Sequence, residues 1–276
     1  MSSQVPIVNL RLLNSGGYGE VFIGQRSDNG QEVIVKYLRD AHLPHNRKAF
    51  FREVKILARR VSGLVPLLGW NMKAVRPWYV MPYVAGGPLT QYAGLLNERQ
   101  LQHIAKELAG TLARLHALYI VHGDVKPDNV LVSRGGPLVA DPLGSGFGCT
   151  ALFSENHGGT PGYCAPEIRQ GGAISYAGDV YSFGATLYHL ATGQRPQDGM
   201  RLDHVFSAKQ SRSLIEEIVI ACCQPDASSR PTMSEVVRIL AGESWESIAS
   251  RRKAEELVKV VGVVGGLLLL GRMLSD

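Results

Sequence analysis

The stretch His122-Gly123-Asp124-Val125-Lys126-Pro127-Asp128-Asn129 runs directly into the apolar Val130-Leu131-Val132. A polar loop at the mouth of a strand presents its side chains together, and these residue types suit one chemistry. Asp124 can accept a proton from a hydroxyl. Lys126, two residues on, can neutralise a phosphoryl group in transit, and Asn129 offers Mg²⁺ a hard oxygen. Asp141 follows another short apolar run, Leu138-Val139-Ala140, and can supply a carboxylate to the same cation. A simple polar turn would have to place all four residues by coincidence. Three weaker signals lie upstream. Leu13-Asn14-Ser15-Gly16-Gly17-Tyr18-Gly19-Glu20-Val21 is a glycine-rich hairpin that allows backbone to approach a phosphate. Val33-Ile34-Val35-Lys36 is a β-branched strand ending in an ammonium. Glu53 lies on a helical pattern and by itself reads as an exposed glutamate.

The elements that must position these groups fall into two sets. Residues 8 to 83 carry short β-rich runs around Val21–Gln25, Glu32–Leu38, Val65–Gly69 and Trp78–Tyr83, with Asp28-Asn29-Gly30 suited to a hairpin. One helix, Lys48–Arg60, interrupts them, its apolar residues spaced by three and four. From Leu89 the pattern is mostly helical: Gln100–Leu118 with Leu101, Ile104, Leu108, Leu112 and Leu115 on one face, then Asp179–Thr192, Ser213–Cys222 and Ser234–Leu240, the last capped by Thr232 or Ser234. The expected fold is α+β: a small antiparallel-sheet lobe with one helix, about 8–82, and a larger, mainly helical lobe, about 85–242, with a ligand cleft between them. At 276 residues with 45% hydrophobic and 19% charged residues, the chain is long enough for a real core and unlike a disordered or low-complexity sequence. Four cysteines exclude a disulfide scaffold and lack zinc-ribbon spacing, so a reducing, cytoplasmic setting is expected. The first residues show no signal-peptide pattern. A net charge of +5 fits either solubility or mild attraction to phosphates and anionic lipid.

In order and spacing these pieces resemble the eukaryotic-type protein kinase family, over roughly residues 8 to 242. Val80-Met81-Pro82-Tyr83-Val84-Ala85-Gly86-Gly87 is similar to the hinge between lobes. Gly159-Thr160-Pro161-Gly162-Tyr163-Cys164-Ala165-Pro166-Glu167 is similar to the end of the activation segment. Asp179-Val180-Tyr181-Ser182-Phe183-Gly184 resembles the buried helix anchoring the catalytic loop, and Arg230-Pro231-Thr232 the site whose Arg pairs with Glu167. The resemblance implies ATP and Mg²⁺ as cofactors and Ser/Thr hydroxyls of protein substrates as acceptors, with no nucleic-acid partner. It implies that Gly16 and Gly19 cover the phosphates, that Lys36 holds the α- and β-phosphates and is oriented by Glu53, and that Asn129 and Asp141 hold the metal. Asp124 would position and deprotonate the acceptor, and Lys126 would stabilise the moving phosphoryl group. Adenine would meet the backbone of Pro82 and Val84 beside Met81, between Val21 and Leu131. Lys126, with Thr160 bracing it and Asp124, indicates Ser/Thr rather than Tyr specificity.

The sequence departs from the family pattern at four places. Asn14 stands for the first loop glycine. Ile34 stands where a small Ala is usual and should narrow the adenine slot. Gly123 replaces the Arg that normally precedes the base, so activity is not expected to need an activation-loop phosphate. Asp141-Pro142-Leu143 stands in place of Asp-Phe-Gly, which fits either a stiffer, constitutively poised site or a slow enzyme. Two other readings stay open: a weak or inactive pseudokinase acting as a nucleotide-binding scaffold, and a small-molecule phosphotransferase. Residues 243–276 form a tail, helical and charged from Trp245 to Lys259, then apolar. The stretch 257–274 reads as a short membrane segment, an interfacial anchor or a surface that packs on the kinase lobe or a partner.

Overall fold

The computed structural model describes residues 5–15, 19–132, 147–149, 160–206 and 211–255. Side-chain alternation organises the first third of the chain. Strands β1 (Ile7–Ser15), β2 (Gly19–Arg26) and β3 (Glu32–Leu38) form an antiparallel meander, continued by β5 (Trp78–Pro82) and β4 (Gly69–Asn71) in the order β1-β2-β3-β5-β4. The β2–β3 hairpin closes at Asp28-Asn29-Gly30, where Gly30 takes φ +72° and donates to Arg26 O. Because successive side chains face opposite ways, one face of the sheet gathers Val33, Val35 and Val80 against Phe22, Tyr37 and Trp78. The opposite face carries two cross-strand rows, Val21–Lys36–Tyr79 and Ile23–Ile34–Met81.

Helix α1 (Pro44–Leu57) crosses between β3 and β4. It begins four residues before the periodic pattern does, because Pro44 occupies the first turn, where its missing N–H costs nothing and its φ is preset. It stops before Arg60, which sits at φ +53°. The strand expected at Val65–Gly69 forms instead at Gly69–Asn71. Pro66 cannot donate to a ladder, and pairing begins only where Leu68 N–H reaches Val80 O at 2.8 Å.

The second lobe is built on α2 (Glu98–Ala117), the short hairpin β6 (Val130–Val132) with β7 (Phe147–Cys149), α3 (Pro166–Arg169), α4 (Tyr176–Thr192), α5 (Leu214–Cys222) and α6 (Met233–Leu240). Capping boxes start α2 (Asn97/Gln100), α5 (Ser213/Glu216) and α6 (Thr232/Glu235), each satisfying two otherwise orphaned N–H groups. Helix α4 is apolar nearly all round and buried from Gly178 to Leu190, as a helix must be when it has no polar face. One continuous core joins Phe50, Val54 and Leu57 of α1 to Leu108 and Leu112 of α2 and to Phe183 and Leu187 of α4. It extends to Ile248, 1% exposed, in a final helical stretch at 245–255. That stretch is tied down where Arg252 donates to Arg230 O at 3.0 Å and Arg251 pairs with Glu243. No helix among the described residues is long and apolar enough to cross a membrane. Residues 257–274 lie outside the described residues.

Candidate active site

The register of the sheet brings the sequence-derived residues of the first lobe onto one face. Lys36 sits opposite Val21 on β2 and Tyr79 on β5, Gly19 pairs with Leu38 two positions along, and Ile34 is buried opposite Met81. Ile34 therefore stands between Ile23 and Met81, on the face where a narrowing of the adenine slot was expected. Glu53 is not an exposed helix residue. It is buried, and its Oε2 lies 2.8 Å from Lys36 Nζ. Its other oxygen, Oε1, accepts from the Tyr79 hydroxyl at 2.8 Å. Burial, then the Glu53 charge, pushes the Tyr79 phenol well above its ordinary range, so it stays a donor. Phe50 packs tilted on the Tyr79 ring at 5.3 Å, and Lys36 Nζ lies 6.0 and 5.6 Å from the two ring centroids.

Pro82, Val84 and Leu131 are half-buried where the lobes join. β6 is clipped to this segment: Val132 N–H donates to Gly87 O at 2.9 Å, and Leu131 bridges Pro88. Gly86 is obligatory here, since a Cβ would fall 1.9 Å from Val132 O.

The loop before β6 holds Asp124, Lys126 and Asn129 in one hydrogen-bonded set. Lys126 Nζ lies 2.8 Å from Asp124 Oδ2 and donates to Thr160 Oγ1 at 2.7 Å. Thr160 donates in turn to Asp124 Oδ1 at 2.7 Å. The Asn129 amide nitrogen donates to Asp124 O and Oδ2 at 2.7 and 2.9 Å. With that NH₂ directed at Asp124, the atom Asn129 can offer a cation is its carbonyl oxygen, the hard donor that Mg²⁺ prefers. The donor chemistry therefore fits a divalent cation at Asn129. Gly16 and the second expected metal ligand, Asp141, lie outside the described residues, as do Pro142 and Leu143.

The loop is held from below by Asp179 of α4. Its Oδ2 accepts from His122 N at 2.8 Å and contacts His116 Nε2 at 2.9 Å, while Oδ1 accepts from Gly123 N at 2.8 Å. Gly123 has φ +83°, a conformation that strains any L side chain. Beyond the loop, Arg230 reaches Glu167 with two bonds, Nη1–Oε1 at 2.7 Å and Nη2–Oε2 at 2.8 Å. Burial pushes the Glu167 carboxyl up, but its bonds to Arg230 and the guanidinium charge outweigh this and hold it below the usual glutamate range. Sequence reasoning missed Tyr79 and His116. The only trace of Tyr79's role is its β5 alternation with Met81, which acquires meaning once the β3–β5 register is known.

Comparison with known proteins agrees with this arrangement. The family model described as protein kinase domain matches residues 7–241. The chain is 35% identical over 203 residues to the DNA damage-responsive serine/threonine-protein kinase RqkA of Deinococcus radiodurans, covering 68% of this chain and 30% of that one. It is 30% identical over 259 residues to the probable serine/threonine-protein kinase PkwA of Thermomonospora curvata, covering 84% and 34%. It is 31% identical over 254 residues to the serine/threonine-protein kinase AfsK of Streptomyces coelicolor, covering 86% and 32%. The chain thus spans about a third of the length of these relatives.

Proposed function

Since this chain belongs to the protein kinase domain family, we propose that it transfers the γ-phosphoryl group of ATP to Ser or Thr hydroxyls of protein substrates, with Mg²⁺ as the metal. The observation that carries this reading is the closed set Asp124–Lys126–Thr160–Asn129. Asp124 is held as a carboxylate acceptor with both oxygens fixed in direction, which suits it to orient a substrate hydroxyl and take its proton. Lys126 holds its ammonium between that carboxylate and the Thr160 hydroxyl, where it can neutralise negative charge developing on a phosphoryl oxygen. Lys36, aligned by Glu53, offers the same service to the phosphates on the sheet side. Positioning and charge neutralisation are most of what phosphoryl transfer asks of a protein. A cation held by Asn129 and Asp141 would neutralise the triphosphate and draw it into register. The Thr160 brace supports Ser/Thr acceptors. Gly123, with no side chain to receive a phosphate, supports activity that is independent of phosphorylation at Thr150 or Ser154, so Ala at either position leaves the rate unchanged.

The test is a phosphorylation assay with MgATP and a generic protein substrate. Asp124→Ala is expected to lower kcat roughly 10²–10⁴-fold, the range for loss of a general base. Lys36→Ala should cost about 10²–10³-fold, as for loss of a preorganised electrostatic partner. Nucleotide uptake without transfer, unchanged by Asp124→Ala, would instead identify a pseudokinase scaffold. Transfer to small hydroxylated compounds but not to protein would identify a small-molecule phosphotransferase.

A further inference from the structure

We propose that Tyr79 is a positioning residue for phosphoryl transfer: its hydroxyl fixes Glu53, and through Glu53 the ammonium of Lys36, so that the ion pair is assembled before nucleotide arrives. This inference rests on the kinase reading and goes beyond it, because nothing in the ion pair itself requires a third member.

Lys36 and Tyr79 are directly opposed on neighbouring antiparallel strands, and their side chains leave the sheet on the same face. Both run to one carboxylate, Lys36 to Oε2 and Tyr79 to Oε1, each at 2.8 Å. Glu53 is the only one of the three carried on α1 rather than on the sheet, so the two bonds together pin the helix to the sheet. With Oε2 alone engaged, the carboxylate keeps rotational freedom and α1 can swing with it. With both oxygens held, any outward movement of Glu53 leaves the buried Tyr79 phenol and the buried Lys36 ammonium short of the partner they share. The Tyr79 ring contributes separately. It packs on Phe50 of α1 and lies beside Lys36 Nζ. Tyr79→Phe keeps that ring and removes only the hydroxyl, which separates the two roles.

Lys36 acts on phosphate charge as it redistributes, whereas adenine and hinge contacts are the same in ground and transition states. Loosening Lys36 should therefore fall on kcat and leave KM for MgATP within a factor of about two to three. A hydrogen bond to a charged group corresponds to roughly a tenfold effect or more. The experiment compares the full chain, Tyr79→Phe, Glu53→Gln and the double variant, reading kcat, KM for MgATP, MgADP affinity by calorimetry and thermal midpoint. The expected result is a roughly tenfold fall in kcat for Tyr79→Phe, and a double variant no worse than Glu53→Gln alone. A kcat within twofold of the parent would overturn the proposal. So would a Tyr79→Phe penalty of the same size in the Glu53→Gln background, or a loss accounted for entirely by unfolded protein. If the parent chain neither transfers phosphate nor takes up MgADP, the kinase reading itself falls and this inference falls with it. An active parent with an unaffected Tyr79→Phe defeats the inference alone.

Discussion

Replacing Arg230 by Met tests how the activation segment is anchored. A guanidinium has five N–H donors, and here all five are matched. Two go to Glu167, Nε donates to Gln224 O at 2.7 Å, Nη1 to Ala177 O at 3.0 Å and Nη2 to Pro225 O at 3.0 Å. The Tyr181 ring covers the guanidinium at 5.1 Å. The Arg230 side chain is 0% exposed, whereas that of Glu167 is 33% exposed. The two ends of this pair are therefore unequal. In Arg230→Met, Glu167 can turn to water, but three backbone carbonyls near Arg230 lose their donor, each at about 1–3 kcal/mol if it stays dry. Together these come to about 3–9 kcal/mol, and the lower part of that span, about 3–5 kcal/mol, is the range for breaking a buried pair. Glu167→Gln leaves the three carbonyl bonds intact and keeps an amide oxygen for one Nη. Solvent already screens its exposed part, so the loss should be about half as large. At about 2–4 °C per kcal/mol for a domain of this size, Arg230→Met should lower the thermal midpoint by roughly 10 °C or more, and Glu167→Gln by clearly less. Differential scanning fluorimetry on purified full-length variants gives both numbers. Equal shifts would show that the ion pair, not the carbonyl set, carries the stability. A shift under about 2 °C for Arg230→Met would refute the reasoning outright.

Three further outcomes follow from the same kind of geometry. Thr160→Ala removes the hydroxyl that receives Lys126 and donates to Asp124; kcat should fall about tenfold and return in Thr160→Ser, as read by steady-state phosphorylation. Acid should destabilise the fold in two steps. Burial, opposed by Asp128 and assisted by the Arg195 charge, lowers the pKa of His189 below 6.5, so the unfolded state binds the extra proton first and stability drops as pH falls below about 6.5. The lowered Glu167 pKa adds a second loss below about 4.5. A midpoint-versus-pH curve should lose its first step in His189→Gln. Ile248→Ala opens a cavity in the core cluster and should cost about 2–5 kcal/mol, measured by urea denaturation; a surface-like effect near zero would mean that the 245–255 stretch is not part of the folded unit in solution.

The residues that act within one short stretch are readable in the sequence. Asp124, Lys126 and Asn129 lie within six positions, and their polarity against the apolar strand that follows is enough to mark them. Capping residues are similarly local: of the two candidates at the start of α6, Thr232 is the one that caps it. What stays hidden depends on register or on distant packing. Glu53 has the sequence setting of a solvated helix residue, and only the α1–sheet contact buries it. Tyr79 looks like an ordinary strand aromatic until it is placed opposite Lys36. β4 forms later than hydrophobicity implies, because the proline within the apolar run Val65–Leu68 forbids a ladder there. His116 is 63 positions from Asp179, a separation that no local pattern encodes.

The placement of the loop 122–129 follows from one buried carboxylate. Asp179 takes two backbone N–H groups from consecutive residues, His122 and Gly123, and bears on the His116 ring as well. Two adjacent peptide donors aimed at one carboxylate require the chain to turn sharply between them, and Gly123 at φ +83° supplies that turn without strain. Position and turn are therefore set by α4, the most deeply buried helix of the second lobe. Elements buried in the core open only with global unfolding. Asp124 is thus referenced to the most stable part of the fold, with Thr160 and Lys126 closing the set from the other side. The other half of the site is the Lys36–Glu53 pair, whose helix α1 packs on the smaller sheet and shares its core with α2 and α4. On the reading proposed above, the Asp124 side of the cleft is fixed through Asp179 of α4, and the Tyr79 hydroxyl fixes the opposite side through Glu53.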